Sequence, residues 1–297
     1  MSKYSKYLDP ATLGSLSGLE VRARHVVEGY LAGLHRSPLH GRSVEFAEHR
    51  PYTPGHEVRH IDWRLWARTD RFYVKLYEEE TNVQAHFLMD ASGSMGYGSG
   101  EQTKYDYGAV LASSLACLLL TQQDAVGLTL FDTEVRAELP PSSNPAVLSG
   151  FCRLLEENPP GRDTNLGALL HGVADRIARR GLVVLVSDLL APLEDILSAA
   201  RRLRYDGHSV MLMHVVDPAE RDFPFDGPVR FEDVEGAGFV HAEGRQLRGA
   251  YLDSFERFRQ AVKDACLREQ VDYAMACTDE PPAVVLARFL SSRSGGY

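Results

Sequence analysis

Cysteine is scarce. The four present, Cys117, Cys152, Cys266 and Cys277, lack the paired spacing that frames a disulfide scaffold or a zinc site. Apolar neighbours surround most of them, so they read as reduced core thiols, and the expected compartment is cytoplasmic. Long apolar runs are also missing. The longest stretch without a charge, Tyr107–Gln123, is 17 residues and holds two Ser, one Thr and two Gln. A membrane span needs about 20 predominantly apolar residues, so a buried helix is expected there instead. The opening MSKYSKYLDPATLG has no apolar stretch of the kind that makes a secretory leader. Positive charge is in deficit, with 32 Lys and Arg against 41 Asp and Glu, a net −9. That argues against a general polyanion binder, because phosphate affinity needs net positive surface. Residues 36–76 run the other way, with eight basic against five acidic side chains.

What is present is an ordinary globular composition, 44% hydrophobic and 25% charged in 297 residues. A chain of this size buries roughly 75% of its unfolded surface, enough for a large core. Ser17-Gly18-Leu19-Glu20 offers a capping box, and Leu19, Ala23, Val26, Tyr30 and Leu34 follow at helical spacing. Residues 36–81 are dense in Arg, His, Gly and aromatics, with short extended pieces expected at Ser43–Phe46 and Phe72–Tyr77.

From residue 82 strands and helices alternate. Strands are expected at Val83–Met89, Ala125–Phe131, Val135–Leu139, Leu182–Ser187, Ser209–Val216 and Val271–Cys277. Helices are expected at Tyr105–Leu120, Ala146–Glu156, Leu166–Ala178, Leu193–Leu203, Leu247–Leu267 and Pro282–Leu290. Leu182–Ser187, LVVLVS, is uninterrupted and so belongs to a strand covered on both faces. The fold class predicted is α/β, a doubly wound, mostly parallel sheet over 82–297. An N-terminal segment, 1–81, carries a helix and short strands, and an insertion occupies about 217–246.

The sharpest local feature is Asp90-Ala91-Ser92-Gly93-Ser94, where the first of these strands ends ahead of a long helix. Ligands bind in such crevices at the carboxyl ends of strands. Asp90, Ser92 and Ser94 are short oxygen donors two residues apart, which an extended turn can aim together, and hard cations such as Mg²⁺ take oxygen ligands. Thr164 precedes the helix expected from Leu166, and Asp188 ends the apolar strand. The plainer alternative is that Asp90, Ser92 and Ser94 only cap a helix.

D-x-S-x-S with a later Thr and a later Asp resembles the metal-ion-dependent adhesion site of von Willebrand factor A domains. Pro51-Tyr52-Thr53-Pro54-Gly55, Arg59-His60-Ile61-Asp62-Trp63-Arg64 and Ala67-Arg68-Thr69 resemble the signature of the family called domain of unknown function fifty-eight. The likeness runs from about residue 30 to residue 293. It implies a von Willebrand A-like domain of the kind associated with MoxR-type AAA+ ATPases. Carried over by position, Ser92, Ser94 and Thr164 would supply hydroxyls to Mg²⁺ (or Mn²⁺ or Ca²⁺), and Asp90 and Asp188 would hold metal-bound waters. One departure is visible: the family commonly has two acidic residues after Pro-Gly, and this chain has His56-Glu57. Neutral ligands leave much of a cation's charge uncompensated, which suits reversible capture of a Glu or Asp from a partner protein. The expected function is therefore a non-enzymatic, metal-dependent adaptor.

The rival readings are enzymatic. His56-Glu57-Val58-Arg59-His60 is a literal H-E-x-x-H, the zinc-peptidase helix motif, but Pro54-Gly55 leaves almost no helix ahead of it. A haloacid-dehalogenase-type phosphatase also begins with a strand-end Asp. It needs a second Asp as general acid where this chain has Ser92. A serine hydrolase is disfavoured by the absence of a G-x-S-x-G elbow around Ser92. Aromatics among the basic residues of 36–76 could mimic a nucleic-acid surface, although packing explains them as well. His171 and His214 read as ordinary helix or core residues.

Overall fold

The computed structural model describes residues 18–36, 49–51, 65–66, 68, 71–75, 83–161, 172, 175–177, 179–232 and 238–294. Ser17, Ser43–Phe46, His56–His60, Thr164 and most of Leu166–Ala178 lie outside the described residues. The chain groups into two compact units, Met1–Gly33 with Val83–Tyr297, and Leu34–Asn82. In order, the elements are α1 (Leu19–Arg36), β1 (His49–Pro51), β2 (Tyr73–Lys75), β3 (Gln84–Asp90), α2 (Lys104–Thr121), β4 (Ala125–Phe131) and β5 (Val135–Ser142). They continue with α3 (Val147–Glu157), β6 (Leu182–Ser187), α4 (Leu193–Tyr205), β7 (Ser209–Val216) and α5 (Pro218–Asp222). The last are β8 (Pro228–Glu232), β9 (Phe239–Glu243), α6 (Gly244–Arg268), β10 (Asp272–Cys277) and α7 (Pro282–Ser294).

Within Leu34–Asn82, β1 and β2 pair antiparallel with Arg50 opposite Val74, and the Trp66 and Phe72 rings stack at 5.8 Å. The larger unit is built on a six-stranded sheet in the order β10-β7-β6-β3-β4-β5. All neighbours are parallel except β5, which returns antiparallel on β4. This is the doubly wound, mostly parallel α/β class predicted. β5 runs longer than its apolar part predicts, through Pro140-Pro141, because an edge strand can give up an amide donor where an inner strand cannot.

Alternation on the inner strands sends side chains to two cores, which is why LVVLVS is apolar throughout. Phe87, Met89, Val184, Val186, Met213 and Val215 join residues of α1, α2, α3 and α7 in one cluster. Leu88, Val183, Leu185, Val210 and Leu212 join residues of α4 and α6 in the other. The start of α1 draws on a distant side chain. Its first amide, Leu19 N, donates to Glu156 Oε1 of α3 at 2.7 Å, while Glu20 is engaged by Ser149 and Arg24. A carboxylate at a helix N-terminus is favourable whichever part of the chain brings it. The stretch 217–246 departs from the α/β alternation as expected, and its described residues form α5, the antiparallel pair β8 and β9, and the start of α6. No described helix is long and apolar enough to cross a membrane.

Register between the two central strands is held where they begin. A Cβ added at Gly181 would stand 2.1 Å from the Gln84 carbonyl oxygen, a backbone atom that cannot swing away. Gly181→Ala is therefore expected to destabilise the protein by about 1–3 kcal/mol, as overpacked sites do. Urea unfolding measures it, and an unchanged midpoint would show that β3 and β6 can separate at no cost.

Candidate functional site

The β3–β6 boundary is where the chain reverses its direction of travel across the sheet, since β4 lies on one side of β3 and β6 on the other. Ligands collect at such a switch point. The parallel strands that meet this edge end on aspartates: Asp90 closes β3, and Asp132, Asp188 and Asp217 follow β4, β6 and β7 directly or within one residue. All four are buried. Parallel pairing alone puts their carboxylates on one edge, so the sheet geometry creates the local excess of negative charge.

Asp90 accepts from Ser92 N through Oδ1 at 2.9 Å and from Ser187 Oγ through Oδ2 at 2.7 Å. The Ser92 and Ser94 hydroxyls lie 3.1 Å apart, both buried, at the start of a single 3₁₀ turn, Gly93–Gly96. Asp188 accepts from Leu190 N at 3.2 Å and, through its other oxygen, from Lys104 Nζ at 2.8 Å. The same ammonium donates to Glu220 Oε1 at 2.6 Å. Glu220 closes a capping box with Asp217 at the start of α5, and Asp217 in turn holds the amide and hydroxyl of Ser99.

The structure therefore brings together Asp90, Ser92, Ser94 and Asp188 among the expected residues. Thr164 and the His56–His60 segment lie outside the described residues. Gly161, three positions before Thr164, donates its amide to the Ala91 carbonyl at 3.3 Å. His214 is a buried core residue bonded to Tyr273 at 2.8 Å, and burial pushes its pKa down to about 4, so it is neutral at pH 7. Sequence reasoning missed Lys104, Ser187, Asp217 and Glu220. Signals existed for three of them: a lysine in the first turn of a helix opposes the macrodipole, and Asp217-Pro-Ala-Glu220 spells a capping box.

Burial and the charge of Asp188 push Asp90 from 3.8 up to about 6, against the opposing effect of its bonds to Ser187 and Ser92. Burial alone would discharge Lys104, but Asp188 and Glu220 more than offset it and hold its pKa above the ordinary lysine value. Of the four carboxylates in this chain of contacts, Asp188 and Glu220 bind the one ammonium, while Asp90 and Asp217 hold hydroxyl and amide donors. Two ligand oxygens at right angles on a Mg²⁺ ion are about 3 Å apart at the usual 2.0–2.1 Å bond length. The Ser92 and Ser94 hydroxyls are hydrogen-bonded to each other at 3.1 Å, a separation that also fits that spacing. Among the described residues no three His, Cys, Asp or Glu side chains are grouped to hold a metal. The donor set here is of another kind, two hydroxyls backed by Asp90 and Asp188, and it suits a hard divalent cation rather than zinc.

A family model described as "Protein of unknown function DUF58" matches residues 48–261, well over half of the chain and spanning all five expected site residues. The chain belongs to this family. The uncharacterized proteins Rv1480 of Mycobacterium tuberculosis (strain H37Rv) and Mb1516 of Mycobacterium bovis are each 25% identical over 297 residues, covering 97% of this chain and 92% of theirs. Among solved structures, BatB from Bacteroides thetaiotaomicron aligns with a TM-score of 0.47 at 17% identity, over 72% of this DUF58 chain and 100% of that one. The SpRpn10 VWA domain aligns with a TM-score of 0.39 at 11% identity, over 69% and 94%.

Two outcomes follow for this DUF58 protein. Lys104→Met leaves Asp188 and Glu220 facing each other without an ammonium, and should cost about 3–5 kcal/mol in urea unfolding with EDTA present. Replacing both acids by amides in that background should recover part of the loss; full stability in the single variant would mean that the bridge carries no weight. Asp90 gives the second. Its folded pKa exceeds its unfolded one, so its ionisation costs stability as pH rises from about 4 to about 6. In EDTA, Asp90→Asn should match wild type near pH 4 and exceed it by about 3 kcal/mol at pH 7. A gap that does not change with pH would show that Asp90 titrates normally.

Proposed function

We propose that this protein is a non-enzymatic, metal-dependent binding module that captures a Glu or Asp side chain of a partner protein. The carrying observation is the pair of buried hydroxyls, Ser92 and Ser94, 3.1 Å apart beside Asp90 at the switch-point crevice shared with Asp188. Ser92, Ser94 and, by resemblance, Thr164 would hold Mg²⁺ (or Mn²⁺ or Ca²⁺), with Asp90 and Asp188 acting through water. A cation bound there supplies positive charge and a coordination position that an incoming carboxylate can take. This chain's own residues do the rest. Ser187 and the Ser92 amide orient Asp90, and Lys104 satisfies one oxygen of Asp188 so that its second oxygen faces Leu190 N. A MoxR-type AAA+ ATPase is the partner that the family resemblance suggests, in maturation or remodelling of a client complex.

The hydrolase alternative has less support. Phosphoryl transfer of the haloacid-dehalogenase type needs a general acid two residues after Asp90, and that position is Ser92. Calorimetric titration with Mg²⁺ tests the main reading: wild type should bind saturably, and Ser92→Ala and Asp90→Ala should bind at least tenfold more weakly. The immobilised protein should retain an AAA+ ATPase from native extract in Mg²⁺ and release it on EDTA. An equal Mg²⁺ response in all three proteins, or a retained set that EDTA leaves unchanged, would overturn the proposal.

A further inference from the structure

Beside the serines lies a cavity of about 210 Å³ whose walls differ in character. Ser94, Lys104 and Glu220 line it together with Phe223, Phe225, Phe231 and Tyr251. The rings come from three places in the chain and pack on one another, with Phe223 at 5.1 Å from Phe225, 5.9 Å from Phe231 and 4.5 Å from Tyr251. They therefore form a fixed wall with offset and edge-on contacts of the favourable kind. Phe223 holds a left-handed backbone, φ +45°, and so does Leu189, φ +57°, between Asp188 and the exposed cavity residue Leu190. Bulky side chains avoid that region, and such strain persists where the surroundings impose it, most often at binding sites.

We infer that this cavity is a specificity pocket for a large apolar side chain, aromatic by preference, within two positions of the partner carboxylate held at Ser92 and Ser94. The inference rests on the proposed capture of a carboxylate and names what stands next to it. The rings select an apolar occupant. The charged groups of the lining are already engaged, Lys104 Nζ with Asp188 and Glu220, and the second Glu220 oxygen with the Asp217 amide. What the walls offer freely is apolar contact. A cavity of about 150 Å³ inside a protein is large enough for benzene, so 210 Å³ admits a phenyl group.

Synthetic nonapeptides with a central Glu flanked on both sides by Phe, by Ala or by Lys, together with a Gln-centred Phe peptide, provide the test. Each is labelled and titrated with the full chain in Mg²⁺ and in EDTA, with fluorescence anisotropy as the readout. The Phe-flanked Glu peptide should bind roughly tenfold or more tightly than the Ala-flanked one. That ratio should fall to within about twofold in Phe225→Ala and shrink in the milder Phe231→Leu, each first shown by urea unfolding to be folded. Equal affinity of the Phe and Ala peptides, tightest binding of the Lys peptide, or no binding of the Phe peptide up to millimolar concentration would overturn the inference. Failure of the carboxylate reading shows separately, as a Gln-centred Phe peptide that matches the Glu one with no effect of EDTA.

Discussion

One buried ammonium joins three parts of this molecule that are far apart in sequence. Lys104 opens the long central helix, and its Nζ reaches the end of the inner strand β6 at Asp188 and the inserted helix α5 at Glu220. A cation in the first turn of a helix runs against the macrodipole, and burying it costs solvation, so neither local effect explains its place. The sheet does. Parallel strands deliver their carboxylates to one edge, and the ammonium bonds one of these, Asp188, together with Glu220.

The same arrangement explains how the site can be both buried and responsive. Asp90 is well oriented by Ser187 and the Ser92 amide, yet burial first and the charge of Asp188 second push its pKa up to about 6. The hydroxyls of Ser92 and Ser94 can approach a cation without adding further negative charge. The orientation of Asp90 is thus set by the protein's own groups.

Much of this was legible in the sequence, and for identifiable reasons. LVVLVS can only be an inner strand, and Asp90 at a strand end with Ser92 and Ser94 behind it marks the crevice, because these signals are local. Lys104 was not legible, since its partners are 84 and 116 residues away and its neighbours spell an ordinary helix start. The start of the helix at Leu19 shows the same limit: Glu156, 137 residues away, accepts from its first amide, and no local spelling announces that. The insertion read as a break because Gly and Pro punctuate it, and that punctuation hid an aromatic wall made by Phe223, Phe225 and Phe231. Spacing cannot reveal rings that meet through tertiary packing.

The outer strand β5 carries Pro140 and Pro141 in succession, two residues with no amide hydrogen to offer. A sheet border of this kind makes a poor template for another chain, so lateral growth is discouraged on that flank. Any self-association by strand addition is thereby steered to the opposite border, β10, and away from the hairpin formed by β4 and β5.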